Sequence, residues 1–233
     1  MIGGTTNDIY VNYYPSGIMD ANTSVIIDKK ANQAIVVEAS GDIEPALKML
    51  KENGNPTVIA LLITHAHADH IHFAEEFRND LPGKPKVYLG EKEIGLWRNI
   101  HAQFEDFGFG SYAPTLSDPD ILIKDGDILF KDTPLETTCL EVEGHSPGGI
   151  CYYFKHINLL CSGDILFKGS IGRSDWTGVP SLEGTGNGKK MVQQIKQKIF
   201  VLDSKTEVIP GHGDDTTIGR ETIYNYAIRF DDF

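Results

Sequence analysis

The sequence predicts a single α/β domain of mixed α+β character, and three observations carry that reading. Strand-like and helix-like segments alternate in two successive blocks along the chain. The 233 residues suffice for one sizeable core, so residues 1–233 are read as one unit rather than two small ones. The apolar, β-branched run Thr57-Val58-Ile59-Ala60-Leu61-Leu62-Ile63 leads directly into Thr64-His65-Ala66-His67-Ala68-Asp69-His70. That places a cluster of reactive side chains at the C-terminal end of a buried strand.

In chain order, Ile9–Tyr14, Ser24–Asp28 and Ala34–Glu38 read as strands of an antiparallel meander, separated by the turn candidates Pro15-Ser16-Gly17 and Lys29-Lys30-Ala31-Asn32. Ile43, Ala46, Leu47 and Leu50 have helical spacing, and Gly54 is a stop signal, which predicts a helix over 43–53. After the 57–63 strand, Asp69 is a candidate N-cap for a helix running over Ile71–Phe77. Lys86–Leu89 is a short strand and Glu91–Ile100 is helix-compatible. His101–Asp120 shows no sustained period and is read as a long irregular connection, either a binding loop or a packed excursion. Strands return at 128–130, 135–142, 150–154 and 157–160. A helix over 189–202, a strand over 206–209 and a helix over 220–228 complete the second block.

The balance of 21 basic against 33 acidic residues gives a net charge of −12, which disfavours nucleic acid and anionic membrane surfaces as partners. No apolar run reaches the roughly 18–20 residues of a membrane span, and Met1–Thr6 has no leader character. A soluble, cytoplasmic protein is expected. Cys139, Cys151 and Cys161 sit in apolar strand-like runs without C-x-x-C spacing and read as core thiols.

The chemistry lies in four turn motifs. On extended backbone, side chains two apart share a face, so His65 and His67 can grip one ion while the chain remains extended. Asp69 and His70 follow as it turns. Glu143-Gly144-His145-Ser146-Pro147-Gly148-Gly149, Ser162-Gly163-Asp164 and Pro210-Gly211-His212-Gly213 each follow a predicted strand. In open α/β sheets, ligands gather outside strand ends, so the four loops can converge on one site. Five of the eight histidines together with two aspartates exceed one tetrahedral ion and suit two ions sharing a carboxylate. His72, His101 and His156 lie outside these motifs.

These motifs, in this order, resemble those of the metallo-β-lactamase superfamily. The stretch Gly163–Asp175 and the tail Pro210–Gly219 resemble its short, single-domain glyoxalase II-like hydrolases. The resemblance implies a four-layer αββα sandwich and two divalent metal ions, zinc by preference, with iron or manganese also compatible. It implies His65, His67 and His145 on the first ion, Asp69, His70 and His212 on the second, and Asp164 bridging, with Asp69 and Asp164 also serving catalysis. Arg173 is the candidate substrate contact, with an ion pair to Asp175 as the alternative, and Lys168 a second candidate.

The expected reaction is hydrolysis of a thioester by a metal-bridging hydroxide, with S-acylglutathiones such as S-lactoylglutathione as substrates. Two dications less two carboxylates and a hydroxide leave the site near +1, which lowers the pKa of bound water. A thiol with a pKa of about 8.5 leaves without a general acid. The alternative is a persulfide dioxygenase-like oxidoreductase using one iron on His65, His145 and Asp164. No C-terminal helical domain like that of two-domain glyoxalases II is expected after Pro210–Gly213, and the stretch Trp176–Gly188 is longer than the compact turn of the short enzymes.

Overall fold

A computed structural model of the chain describes residues 8–229, so the reading of Met1–Thr6 lies outside the described residues. The first sheet opens with β1 (Ile9–Ser16), β2 (Ala21–Asp28) and β3 (Gln33–Val37), an antiparallel meander. Gly17, at φ +80°, makes the first turn; a Cβ there would lie 1.9 Å from the Ser40 carbonyl oxygen. After α1 (Glu44–Glu52), β4 (Thr57–Leu62) pairs parallel to β3. α2 (Ala68–Ile71) and α3 (Ala74–Asp80) lead to β5 (Lys86–Gly90), and α4 (Ile94–Arg98) and α5 (Ile100–Asp106) to β6 (Ile121–Ile123). The six strands lie side by side in chain order, the last four parallel.

The second sheet begins with β7 (Ile128–Leu129), β8 (Thr137–Val142), β9 (Gly149–Phe154) and β10 (Leu159–Gly163), all antiparallel. A small hairpin, β11 (Leu166–Phe167) and β12 (Ser170–Ile171), follows. α6 (Gly188–Gln194) then crosses over to β13 (Glu207–Pro210), parallel to β10, with β14 (Thr216–Thr217) at the edge. α7 (Ile218–Tyr224) and α8 (Tyr226–Arg229) close the described chain.

Three apolar clusters define the layers. Leu50, Phe77, Trp97 and Phe104 pack helices onto one face of the first sheet. Ile26, Ile35, Leu62, Tyr152 and Phe154 fill the space between the sheets. Leu160, Met191, Ile195 and Val208 pack the later helices onto the second sheet. The order is helix, sheet, sheet, helix, the expected four-layer sandwich. β2 is buried along its whole length because both of its faces meet a core. Trp97 is 1 % exposed, and its indole N–H donates to the Ser117 carbonyl at 3.1 Å. Trp97→Ala is expected to cost about 3–5 kcal/mol, read as a lower urea midpoint at unchanged slope.

Several boundaries differ from the sequence expectations. Asp69 is not an N-cap: His67 holds that position with extended backbone, and Asp69 sits in the first turn of α2. The 71–77 helix divides into α2 and α3. The predicted 91–100 helix is a 3₁₀ turn over Glu91–Glu93 followed by α4 and α5. His101–Asp106 is thus helical rather than irregular. Ile100, Gln103 and Phe104 are its buried positions, and the polar Gln103 masks the apolar period. The 157–160 strand starts only at Leu159, because Lys155–Ile157 form a 3₁₀ turn and Asn158 is left-handed at φ 49°. α6 continues as a π turn over Ile195–Ile199, and the last predicted helix breaks at Asn225. The three cysteines are buried free thiols, as read, and burial pushes the Cys139 pKa up to about 12. Among the described residues, no helix is long and apolar enough to cross a membrane.

Candidate metal centre

The strand ends deliver the four motifs to one edge of the sandwich. Backbone hydrogen bonds lace the loops together: Ile150 N–H donates to Thr64 at 2.7 Å, Gly211 N–H to Gly163 at 2.8 Å, and Asn22 N–H to Gly211 at 2.7 Å. At Gly211 a Cβ would lie 2.0 Å from Oδ1 of Asp164, so only glycine lets β13 end this close to that carboxylate.

All seven candidate ligands are brought together, in three overlapping triads: His65, His67 and His145; His65, His70 and Asp164; and Asp69, His70 and His212. Within each triad the ligand atoms lie within 4.8 Å of one another. Asp164 spans the cluster. Its Oδ1 is 3.5 Å from Nε2 of His70, and its Oδ2 is 3.6 Å from Nε2 of His145 and 3.5 Å from Nε2 of His212. His145 donates Nδ1–H to the Arg173 carbonyl at 2.6 Å, and His212 donates Nδ1–H to that of Met19 at 3.1 Å. Because a carbonyl only accepts, these bonds leave Nε2 of each ring facing the cluster.

The donor set fits metal ions. Nε2 of His65 and His145 are 3.1 Å apart, a separation that needs a proton or a cation between them. Nε2 of His67, Nε2 of His70 and Oδ1 of Asp164 are buried without a hydrogen-bond partner. Burial, followed by the neighbouring imidazoles, holds His65 well below the usual histidine range, and burial with His145 does the same to His67. Burial also lowers His145, against the pull of Asp164. Burial thus favours the neutral imidazole in all three, the form that ligates a metal ion. Burial opposes protonation of His70, but Asp69, Asp164 and Glu38 outweigh it and push its pKa up to about 10. Burial disfavours the Asp69 carboxylate, yet His70 and His212 hold its pKa below the usual range. A proton on His70 therefore balances carboxylates that a cation would balance instead.

Four supporting residues escaped the sequence analysis. Glu93, fully buried, accepts the Ala66 N–H on Oε2 at 3.0 Å, and the Ser146 hydroxyl and Gly148 N–H on Oε1 at 2.7 and 2.6 Å. It thereby joins the His65/His67 loop to the His145 loop. Gln103 accepts the Ala68 N–H at 3.0 Å and donates to the Ala66 carbonyl at 2.9 Å. Glu38 accepts the Thr64 N–H at 3.0 Å, with its other oxygen 3.5 Å from Nδ1 of His70. Trp176 donates to the His145 carbonyl at 2.8 Å and lies edge-on to His67, centroids 4.9 Å apart. A glutamate among charged surface residues, or a tryptophan in a Gly-rich stretch, carries no local signal of such a role.

The cluster floors a cavity of about 400 Å³. Arg173 lines it, its guanidinium 4.7 Å from the Trp176 ring centroid. Its Nε–H donates to the Asp175 carbonyl rather than to the carboxylate, which accepts instead from Thr177. Lys168 is not among the lining residues, and its Nζ pairs with Asp214 at 3.0 Å. His72 lies against Phe73 and Phe104, away from the cluster.

The comparisons with known proteins agree with this geometry. A probable metallo-hydrolase of Bacillus subtilis, YqgX, is 35% identical over 217 residues, covering 91% of this chain and 93% of that protein. The hydroxyacylglutathione hydrolase GloC of Haemophilus influenzae is 28% identical over 211 residues, covering 91% and 94%. The crystal structure of the BLEG-1 B3 metallo-β-lactamase superposes with a TM-score of 0.82 at 30% identity, covering 94% of this chain and all of that one. The model of the metallo-β-lactamase superfamily matches residues 17–212, a span that contains all seven candidate ligands, and the chain belongs to that superfamily.

Proposed function

We propose that the protein is a hydrolase of thioesters that works with two bound divalent metal ions. The observation that carries this is the convergence of seven candidate ligands, five of which (His67, Asp69, His145, Asp164 and His212) line a cavity that offers no other reactive group. Among the described lining residues, none outside the ligand cluster is a Ser, Thr, Cys, Tyr, Lys or carboxylic acid. None of those other side chains can act as nucleophile or protonate a leaving group. A thioester needs neither when water is activated, since thiolate leaves unaided. Relatedness to a hydroxyacylglutathione hydrolase points the same way.

His65, His67 and His145 would hold one ion and Asp69, His70 and His212 the other, with Asp164 reaching both. Ions bound there supply a water of lowered pKa and polarise the acyl oxygen. The chain's own part is to orient the ligands. The Arg173 and Met19 carbonyls fix the tautomers of His145 and His212, and Glu93 and Gln103 hold the loops in register.

Metal analysis of protein produced with ample zinc, iron and manganese is expected to give two equivalents per chain, and S-lactoylglutathione and simple thioesters are expected to be cleaved. Full activity at one equivalent would overturn the two-ion reading. Oxygen uptake with a persulfide, on one iron and without thioester cleavage, would establish the dioxygenase alternative in its place.

A further inference from the structure

The walls above the cluster are apolar. Trp176 stands over the His67 and His145 end, while Phe167 and Met19 flank His212. Phe107 and Phe109 follow α5, whose terminal Asp106 accepts the Ser181 N–H at 2.7 Å and so ties this segment to the loop carrying Trp176. Ile18, Met19, Phe107 and Phe109 are 42, 56, 38 and 42 % exposed, large apolar side chains gathered at one mouth. Exposed apolar area concentrated beside a reactive cluster is a binding surface.

Charge around the mouth runs against anions. Arg173 is the one lysine or arginine among the described lining residues, and it is engaged by Trp176 and the Asp175 carbonyl. Four exposed acids, Asp20, Asp106, Asp175 and Asp214, each lie within two residues of a lining residue, and only Asp214 has a lysine partner, Lys168. A glutathione moiety has two carboxylates to place and meets two basic side chains, Arg173 and Lys168 beside Phe167, both already engaged.

We infer that this site selects thioesters of apolar acyl groups, medium-length alkanoyl or aroyl, over hydroxyacyl groups and over thioesters of anionic thiols. The inference rests on the thioester reading and narrows it. In the reaction a water oxygen bonds to the acyl carbon and the C–S bond breaks with its electron pair on sulfur. One proton of water goes to the thiolate and the other is released from the carboxylic acid product. The acyl chain lies along Phe107, Phe109, Met19 and their neighbours, where each buried methylene raises kcat/KM about fourfold.

The test is a series from acetyl to octanoyl, with benzoyl and lactoyl, carried on both N-acetylcysteamine, an uncharged thiol, and glutathione, assayed with metal-loaded protein. On the uncharged thiol, kcat/KM is expected to rise about 30-fold from acetyl to octanoyl, equivalent to two or three buried methylenes. Benzoyl should exceed lactoyl. Phe109→Ala and Met19→Ala should each lower the octanoyl rate more than the acetyl rate, with metal content measured alongside. Glutathione thioesters should be poorer and improve with added salt, which screens the acidic rim, while the uncharged series stays flat. Turnover with no chain-length dependence, or with S-lactoylglutathione as the best substrate, would overturn this inference and leave the thioester reading standing. Failure to cleave any thioester overturns both.

Discussion

Asp164→Ala is expected to bind at most one metal equivalent and to lose about 10³-fold in turnover, the scale on which removal of a group that stabilises reacting charge is felt. The expectation follows from its position. One carboxylate reaches His145 of the first ligand set and both His70 and His212 of the second, so no neighbour can replace it for both. Removing it also leaves buried imidazoles without the charge that now faces them. Cys161→Ser is the matched control, on the strand β10 that leads into Asp164. Cys161 is 2 % exposed in the core between the sheets, so the variant should lose about 1–3 kcal/mol of stability while keeping its metal. The measurement is metal per chain on folded protein, with circular dichroism establishing the fold. Two equivalents retained by Asp164→Ala, or metal lost from folded Cys161→Ser, would overturn the ligand set.

Glu93→Gln should weaken metal affinity about 10–100-fold without replacing any ligand. The Glu93 carboxylate only accepts, and it takes three donors from two loops. The amide of glutamine keeps one acceptor oxygen and turns an N–H₂ against either the Ala66 N–H or the Ser146 and Gly148 pair. One loop must then shift, and His65 and His67 move relative to His145. Burial raises the Glu93 pKa, and the three donors oppose that rise, so its charge depends on those bonds. Competition with a chelator of known affinity reads the effect directly. Unchanged affinity in a folded Glu93→Gln protein would show that the loops are held by other contacts.

Much of the fold was legible because its signals are local. The meander, the parallel strand at 57–62 and the crossover helix each announce themselves through alternation, apolar runs and turn residues within ten or so positions. The misplaced boundaries share a cause. The strand expected at 157–160 and the long helices expected at 91–100, 189–202 and 220–228 run through positions where the chain breaks because backbone geometry intervenes, as at the left-handed Asn158 or at Asn99, which caps α5. Asp69 suited an N-cap by residue type. It is turned instead toward His212, 3.1 Å away, by an extended His67 that starts the helix two residues earlier.

By itself the sequence determined which candidate metal ligands could meet, since His-x-His-x-Asp-His after a buried strand and three glycine-flanked turns after other strands admit few arrangements. The resemblance of those motifs then ordered them. Tertiary structure alone decided what surrounds them. Glu93 joins loops more than 50 residues apart, Gln103 reaches back 35 and 37 positions, and Met19 supplies a carbonyl to His212 across 193. The apolar mouth is likewise drawn from the β1–β2 turn, the end of α5 and the loop at Trp176. Contacts of that range leave no period or spacing in the chain, because they depend on how two sheets pack face to face and which loops their shared edge brings together.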